Sequence, residues 1–154
     1  MTTARSAGLL LFRRTGEGVE VLLGHMGGPF FARRDAGAWT VPKGEYDPDE
    51  PAWDAARREF EEELGLAPPA GEAVPLGEVR QSGGKVVTAW AVEGDLDPAS
   101  VVPGTFTMEW PPRSGRTREF PELDRVAWFP LERARELIVS AQAAFLDRLT
   151  EHSL

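Results

Sequence analysis

The sequence contains no cysteine and only two histidines, His25 and His152. Without cysteine, neither a disulfide framework nor a thiolate metal site can form, and two histidines so far apart do not predict a multi-histidine zinc centre. Apolar runs such as residues 9–12 (LLLF) are short, whereas a membrane-spanning helix needs about 20 apolar residues. The first 25 residues also lack the charged start, apolar stretch and cleavage site of a secretory signal. These absences predict a cytoplasmic protein.

Lysine is scarce too, since Lys43 and Lys85 are the only lysines among 17 basic residues, and the formal net charge is −8. Non-specific affinity for nucleic acids and acidic membranes comes mainly from basic surface. The charge therefore argues against both as partners. A small anionic substrate remains compatible with it, provided that a metal ion and a few local bases offset the repulsion.

The chain of 154 residues is long enough for one domain with a core of its own. No linker, repeat or low-complexity tract divides it, so we expect one α/β domain over residues 1–154. Apolar patterning predicts a hairpin of residues 7–14 and 19–25 joined by TGEG. Further strands are expected at 39–41, 77–82, 86–92 and 126–129, a short one at Phe106, Met108 and Trp110, and helices at 51–64, 131–137 and 142–150. Most of residues 93–124 is predicted to be irregular.

The helix at residues 51–64 has clear boundaries. Pro51 suits the first helical turn, Gly65 is a good stop, and the prolines at 68–69 prevent the helix from resuming. A turn is expected to begin at Pro42, just before this region.

This helix carries an unusual density of like charge, because residues 58–63 (REFEEE) contain four glutamates. At about 100° per residue, Glu62 lies at roughly −60° and Glu63 at roughly +40° from Glu59. These three side chains therefore share one face, while Glu61 points to the opposite side.

Two interpretations of the shared face follow from the residues alone. A solvated acidic face is common. The other interpretation is a site for a hard cation such as Mg²⁺ or Mn²⁺, which prefers oxygen ligands. An apolar stripe beside the acidic face would anchor the helix on a sheet and put the glutamates at the edge of the core: Trp53, Ala56, Phe60 and Leu64. An EF-hand is excluded, because residues 47–51 (DPDEP) lack its ligand spacing and glycine.

A longer pattern decides between these interpretations. Gly44, five residues, Glu50, seven residues and then residues 58–66 (REFEEELGL) match the Nudix box at every defined position. Residues 39–46 (WTVPKGEY) also resemble the W-x-x-P-K-G start of dinucleoside polyphosphate and diphosphoinositol polyphosphate hydrolases. The chain thus resembles the Nudix hydrolase family over most of its length.

The resemblance implies an α/β/α sandwich with a mixed sheet and metal-dependent hydrolysis of a nucleoside diphosphate linked to another group. It implies Mg²⁺, with Mn²⁺ as a substitute, bound by Gly44 through its main-chain oxygen and by Glu59, Glu62 and Glu63. Arg58 and Glu50 would brace the loop against the helix, and Glu61 falls on a variable position. Dimers are frequent in the family, which leaves a homodimer open.

The general base and one more acid are not settled by the box. Glu59 and Glu62 are the candidates for removing the proton from the attacking water, with a loop acid as competitor. Many relatives use a carboxylate from the loop before the last strand. We predict Glu122 in this role, with Glu119 and Asp124 as alternatives.

Substrate contacts are expected outside the box. Lys43 would contact phosphate beside the metal, and Arg33, Arg34 and Lys85 are further candidates for a long phosphate chain. A purine could stack on Trp110 or Phe106, although their alternation with Met108 favours a core strand. His25 is expected to be structural more often than part of the site.

The leading hypothesis is hydrolysis of dinucleoside polyphosphates, cutting diadenosine tetraphosphate into ATP and AMP. The alternative is a nucleoside triphosphate pyrophosphohydrolase acting on normal or oxidised nucleotides. A non-catalytic nucleotide-sensing domain is disfavoured because every glutamate of the box is present. A plain acidic interaction surface is disfavoured further, and it predicts no Mg²⁺ site.

Overall fold

A computed structural model of the protein describes residues 4–153. These residues form a seven-stranded mixed sheet, a separate two-stranded sheet and three α-helices. The strands are β1 Arg5–Thr15, β2 Gly18–Met26, β3 Trp39–Thr40, β4 Lys43–Glu45, β5 Ala73–Arg80, β6 Val86–Glu93, β7 Thr105–Glu109, β8 Thr117–Pro121 and β9 Leu123–Pro130. The helices are α1 Ala52–Leu64, α2 Leu131–Leu137 and α3 Ala143–Ser153.

The large sheet is covered on both faces, and β1 shows why. Its side chains alternate between the two sides of the sheet. Leu9 and Leu11 pack with Phe60 of α1, whereas Leu10 and Phe12 pack in the cluster that includes α2 and α3. β1 and β6 are parallel and the other pairs of this sheet are antiparallel. The predicted α/β/α sandwich with a mixed sheet is confirmed.

The strands β1 and β2 diverge, and two short strands fill the gap between them. β1 and β2 pair with each other next to the turn that joins them, between residues 12–15 and 18–21. Farther along, β3 pairs with residues 24–25 of β2, and β4 pairs with residues 6–8 of β1. The chain bends at Pro42, where a turn was predicted, and then continues directly into β4. This places the start of the Nudix-like motif beside the N-terminal part of β1.

The hairpin, the central strand β6 and the helices α1 and α2 agree with the sequence prediction to within about two residues at each end. α1 ends where predicted, with Gly65 in the left-handed region at φ 70°. β5 starts at Ala73, earlier than expected. Its register shifts between Pro75 and Glu78 around Gly77, which interrupts the alternation that the sequence prediction used.

The region expected to be irregular apart from one short strand contains a hairpin: the predicted strand is β7, and β8 was not foreseen. β7 and β8 pair with each other, and residues 110–116 form their connection. Phe106, Met108 and Trp110 are half-buried, so the prediction that they belong to a core strand is wrong. Phe106 lies against Gly28 and Trp110 packs edge-on against Phe30, so these side chains are partly covered but belong to none of the core clusters of residues 4–153.

Among residues 4–153, no helix combines the length and apolar character that crossing a membrane requires.

Candidate active site

The three predicted carboxylates of α1 lie in one cavity at the edge of the core. Phe60 and Leu64 are fully buried and fix the orientation of the helix on the sheet. The acidic face of the helix therefore lies at the edge of the core. A cavity of about 110 Å³ is lined by Glu59, Glu62, Glu63, Gly104, Thr105 and Glu122. Exposure differs sharply within the set, since the side chain of Glu59 is 13% exposed and that of Glu62 is 58% exposed.

The strand β4 docks directly on these carboxylates. A Cβ atom built on Gly44 would lie 2.0 Å from Oε2 of Glu59, so the carboxylate occupies the space that any other residue would need. The backbone N–H of Lys43 donates to Oε2 of Glu63 at 3.1 Å. Glycine at position 44 thus lets the main chain approach the acidic face closely.

Arg58 binds three acids at once. Its Nε and Nη2 donate to the two oxygens of Glu50 at 3.0 and 2.8 Å, a fork geometry that is among the stronger ionic hydrogen bonds. Its Nη1 donates to Glu59 at 2.8 Å and to Glu62 at 3.2 Å. Hydrogen bonding to Arg58 lowers the pKa of Glu50. The arginine therefore links the loop to α1 and also neutralises part of the acidic face.

Burial disfavours the charged forms of the other titratable side chains in the site and so shifts their pKa values. It raises the pKa of Glu63 to about 8 and also raises the pKa of Glu59. Burial, followed by repulsion from Lys85, lowers the pKa of Lys43. A bound cation would offset these penalties on the carboxylates.

The side chains that line the small cavity have the oxygen atoms that a hard divalent cation prefers. Four carboxylates line the small cavity, and such oxygen ligands suit Mg²⁺ and Mn²⁺. Within residues 4–153, no three acidic or histidine side chains stand close enough to form a ready-made metal group. Arg58 donates to Oε1 of Glu59 and to Glu62, whereas Oε2 of Glu59 lies on the side of Gly44.

The loop acid Glu122 lies between β8 and β9 and reaches the same cavity. Its backbone N–H donates to the carbonyl of Gly104 at 2.8 Å, and its carbonyl accepts from the N–H of Gly27 at 3.0 Å. These two bonds hold the main chain at residue 122 beside the carboxylates of α1.

The two alternatives to Glu122 are placed differently. Asp124 faces Nδ1 of the buried His25 at 2.7 Å, and the other ring nitrogen faces the carbonyl of Arg34 at 2.6 Å. This arrangement supports the structural interpretation of His25 and ties the loop after β2 to β9. Glu119 is exposed on β8.

A larger cavity of about 480 Å³ continues from the carboxylates towards the basic residues. Lys43, Lys85 and Phe106 line it together with the acids. Lys85 lies 3.9 Å from Glu45. Arg34 is not among the lining residues; its guanidinium lies 5.5 Å from the ring centre of Phe31, which lines the cavity. Arg33 and Arg34 are both exposed. Trp110 packs edge-on against Phe30.

Sequence reasoning missed several residues of this lining: Ser6, Met26, Gly27, Phe31, Thr40, Glu45 and Leu123. Nothing in their local sequence distinguishes them. They come from the start of β1, the end of β2 and its following loop, β3, β4 and the start of β9, and only the folded sheet brings these segments together.

Comparison with known proteins identifies the family. The NUDIX domain model matches residues 2–149, and no curated protein sequence matches the chain. A C. elegans Ap4A hydrolase in a binary complex is 23% identical with a TM-score of 0.68, covering 97% of this chain and 96% of its own. The NUDIX domain of Shewanella oneidensis NrtR, complexed with ADP ribose, is 16% identical with a TM-score of 0.66, covering 100% and 90%.

RenU, a Nudix hydrolase from M. smegmatis, is 25% identical with a TM-score of 0.58, covering 95% of this chain and 83% of its own. Nudix hydrolases generally use divalent metals, in keeping with the oxygen ligands gathered here. Since the domain match runs over almost the full length, the protein belongs to the Nudix family, and the expected Nudix pyrophosphohydrolase is confirmed.

Proposed function

We propose that this protein hydrolyses dinucleoside polyphosphates, cutting diadenosine tetraphosphate into ATP and AMP. The observation that carries the proposal is the continuity of one cavity, which joins the carboxylates of α1 to Lys43, Lys85 and the ring of Phe106. Such a cavity offers places for a metal, for several phosphates and for a base. The domain would occupy residues 1–154, of which residues 1–3 and 154 lie outside the described part, and it would act in the cytoplasm.

Mg²⁺ is the proposed metal, with Mn²⁺ as a substitute. The proposed ligands are the carbonyl of Gly44 and the carboxylates of Glu59, Glu62, Glu63 and Glu122. A bound divalent ion masks phosphate charge and makes a coordinated water more acidic. The close approach of Gly44 to Glu59 supports a ligand set that includes both the main chain and the helix.

The general base is proposed to be Glu62 or Glu59. Water from solvent can reach Glu62, whose side chain is 58% exposed, far more easily than Glu59, which is 13% exposed. A base must lie within hydrogen-bond reach of the water that it deprotonates. Exposure therefore favours Glu62, and the buried position of Glu59 against Gly44 suits a ligand. The loop acid Glu122 is the competing candidate for the general base.

Lys43 and Lys85 line the cavity. Lys43 is proposed to contact phosphate beside the metal, and Lys85 and Arg34 are proposed to hold further phosphates of the chain. Phe106 is the favoured partner for a purine, because it lines the cavity and is half-buried. Trp110 packs against the exposed ring of Phe30 and could serve a second base beyond the cavity mouth. The overall similarity to the C. elegans Ap4A hydrolase supports this choice of substrate.

One observation favours a second candidate, a nucleoside triphosphate pyrophosphohydrolase. A cavity of about 480 Å³ is within the range for one small ligand. One nucleotide with its phosphates would fill such a space, and a second nucleoside would have to lie outside. A non-catalytic sensing domain is disfavoured by the presence of all the box glutamates. Metal-dependent turnover that disappears in Glu62→Gln would exclude it.

The test is incubation with Mg²⁺ and separate diadenosine polyphosphates, nucleoside triphosphates and oxidised nucleotides, with products resolved by chromatography. ATP plus AMP from the tetraphosphate, well above all other turnover, is the expected result. Release of pyrophosphate and a monophosphate from a triphosphate, with little cleavage of the tetraphosphate, would replace the proposal by the second candidate. The same panel with Mn²⁺ and with Ca²⁺ checks the metal.

A further inference from the structure

Gln142 is a fully buried polar side chain that the mechanism has not used. It is 0% exposed and ends the short 3₁₀ turn Ser140–Gln142 that precedes α3. Its Oε1 accepts from the backbone N–H of Val41 at 3.0 Å, and its Nε2 donates to Thr40 at 3.0 Å and to Gln81 at 2.8 Å. A backbone N–H can only donate, so the bond to Val41 decides which side of the amide carries the oxygen. The side chain is thus held in one orientation.

The bond to Val41 extends the pairing along the outer edge of β3. The connection between α2 and α3 runs parallel to this edge, and the backbone N–H of Val139 donates to the carbonyl of Trp39 at 2.8 Å. At Val41 the connection has already turned into the 3₁₀ segment, and the side chain of Gln142 takes the place of its main chain. Because Val41 is fully buried, its N–H would be left without water or protein if this partner were lost, which is costly.

Residues 41–43 lead the chain from β3 into β4. Each of them is bonded through its main chain to a different element: Val41 donates to Gln142, Pro42 accepts from Leu9 of β1 at 3.2 Å, and Lys43 donates to Glu63 of α1 at 3.1 Å. Gly44 follows directly and lies against Glu59, where a Cβ atom would be 2.0 Å from Oε2. A small displacement of the segment therefore changes how the main chain meets the acidic face of α1.

We propose that Gln142 is a positioning residue, which sets the place of the Gly44 main chain relative to the carboxylates of α1. It acts through Val41 and the two residues after it, and it contacts neither metal nor substrate. The proposal rests on the proposed function only in taking the carbonyl of Gly44 as a metal ligand. It is independent of which nucleotide is hydrolysed.

The test compares Gln142→Met with Leu149→Ala. Methionine is similar in length to glutamine and fills the space, but it cannot accept from Val41 as the amide does. Leu149 is fully buried on α3 and belongs to the same core cluster, so its truncation destabilises the protein without removing a hydrogen bond. Both variants should have a lower thermal midpoint, and all measurements are made well below the lower of the two.

Mn²⁺ affinity, followed through the free-ion signal in electron paramagnetic resonance, separates positioning from stability. Loss of a residue that orients metal ligands typically weakens metal binding about 10- to 100-fold, and we expect about 10-fold in Gln142→Met because the effect passes through three residues. Leu149→Ala should keep the affinity of the unsubstituted protein. Equal affinity in Gln142→Met would overturn the proposal. An equal loss in both variants would overturn it too, since stability alone would then explain the effect.

Amide hydrogen exchange in a chelator gives a readout without metal. In Gln142→Met the amides of Val41 and Lys43 should lose protection relative to those of β6, and in Leu149→Ala they should not. Unchanged relative protection in Gln142→Met would contradict the proposed route. Neither readout uses a nucleotide, so failure to cleave diadenosine tetraphosphate rejects only the proposed function.

Gln81→Met provides a second, milder variant. It removes the partner of one Nε2 hydrogen of Gln142 and leaves the bond to Val41 in place. Mn²⁺ affinity should fall by a smaller factor than in Gln142→Met. If Gln142→Met does not fold, this variant decides: unchanged Mn²⁺ affinity and unchanged protection of Val41 in folded Gln81→Met would overturn the proposal.

Discussion

The carboxylate of Glu59 fills the space beside the backbone of Gly44, where a Cβ atom would lie 2.0 Å from Oε2. This contact joins a strand residue to a helix residue 15 positions later. It also sets the distance between the main-chain carbonyl and the carboxylates that are proposed to share a metal.

Gly44→Ala should therefore push Glu59 out of place. Displacement of a reacting constellation by about 1 Å can cost on the order of 10²-fold in rate, and we expect a loss of that size in metal-dependent turnover. Gly16→Ala is the matched control, because a Cβ there meets nothing within 4 Å. Steady-state kinetics with varied Mg²⁺ measure the effect. Equal activity in the two variants would contradict the proposed role of this contact.

Glu62→Gln should lower kcat by about 10²- to 10⁴-fold at saturating Mg²⁺, the range typical of losing a general base. Glu61→Gln, on the exposed opposite side of α1, should leave kcat unchanged. Glu59→Gln should instead raise the Mg²⁺ concentration needed for half-maximal activity, because the residue is proposed mainly as a ligand. If saturating Mg²⁺ restores Glu62→Gln and not Glu59→Gln, the two roles are reversed.

The stability of the metal-free protein should fall as pH rises through the range set by Glu63. Its pKa is raised by burial from 4.5 to about 8 in the folded state. Below about pH 4.5 the group is protonated in both states and carries no penalty. Between the two values the unfolded chain releases the proton and the folded chain keeps it, so the free energy of unfolding decreases until about pH 8.

Thermal unfolding in a chelator from pH 5 to pH 8 measures this dependence. Glu63→Gln should flatten the slope, and Glu61→Gln should retain it. Since Mg²⁺ competes with the proton, its affinity should rise with pH over the same window. The raised pKa would be contradicted if the free energy of unfolding of the metal-free protein increased with pH over this range and Glu63→Gln removed that increase.

Substitutions of the three acidic residues near β9 should have different effects on activity and stability. Glu122→Gln should reduce turnover because Glu122 lines the same small cavity as the carboxylates of α1, and Glu119→Gln should have no effect. Asp124→Asn should lower the thermal midpoint, because it weakens the partner of the buried His25, with activity retained at temperatures where the variant is folded. Activity and thermal unfolding measured on the same preparations test all three. A turnover loss in Glu119→Gln larger than that in Glu122→Gln would reassign the loop acid.

The hairpin β7–β8 illustrates a limit of pattern reading. Alternating Phe106, Met108 and Trp110 predicted a core strand, because alternation reports only that one face of a strand is more apolar than the other. Whether that face is covered depends on what packs on it. Within the described part of the chain, β7 and β8 pair with each other and not with the large sheet, and Phe106 lines the cavity.

The sequence alone determined the acidic face of α1. The period of a helix is a local property, so the shared direction of Glu59, Glu62 and Glu63 followed from their spacing before any packing was known. The end of α1 followed in the same way from Gly65, whose left-handed conformation is a property of the residue itself.

Only the tertiary structure decided what faces those carboxylates. Glu122 reaches them because main-chain bonds to Gly104 and Gly27 hold its loop, and sequence position alone could not separate it from its acidic neighbours. Lys43 and Lys85 line one cavity because β1 pairs with both β4 and β6. Such pairings join residues far apart in the chain, and their register depends on the packing of the whole sheet and not on local spacing.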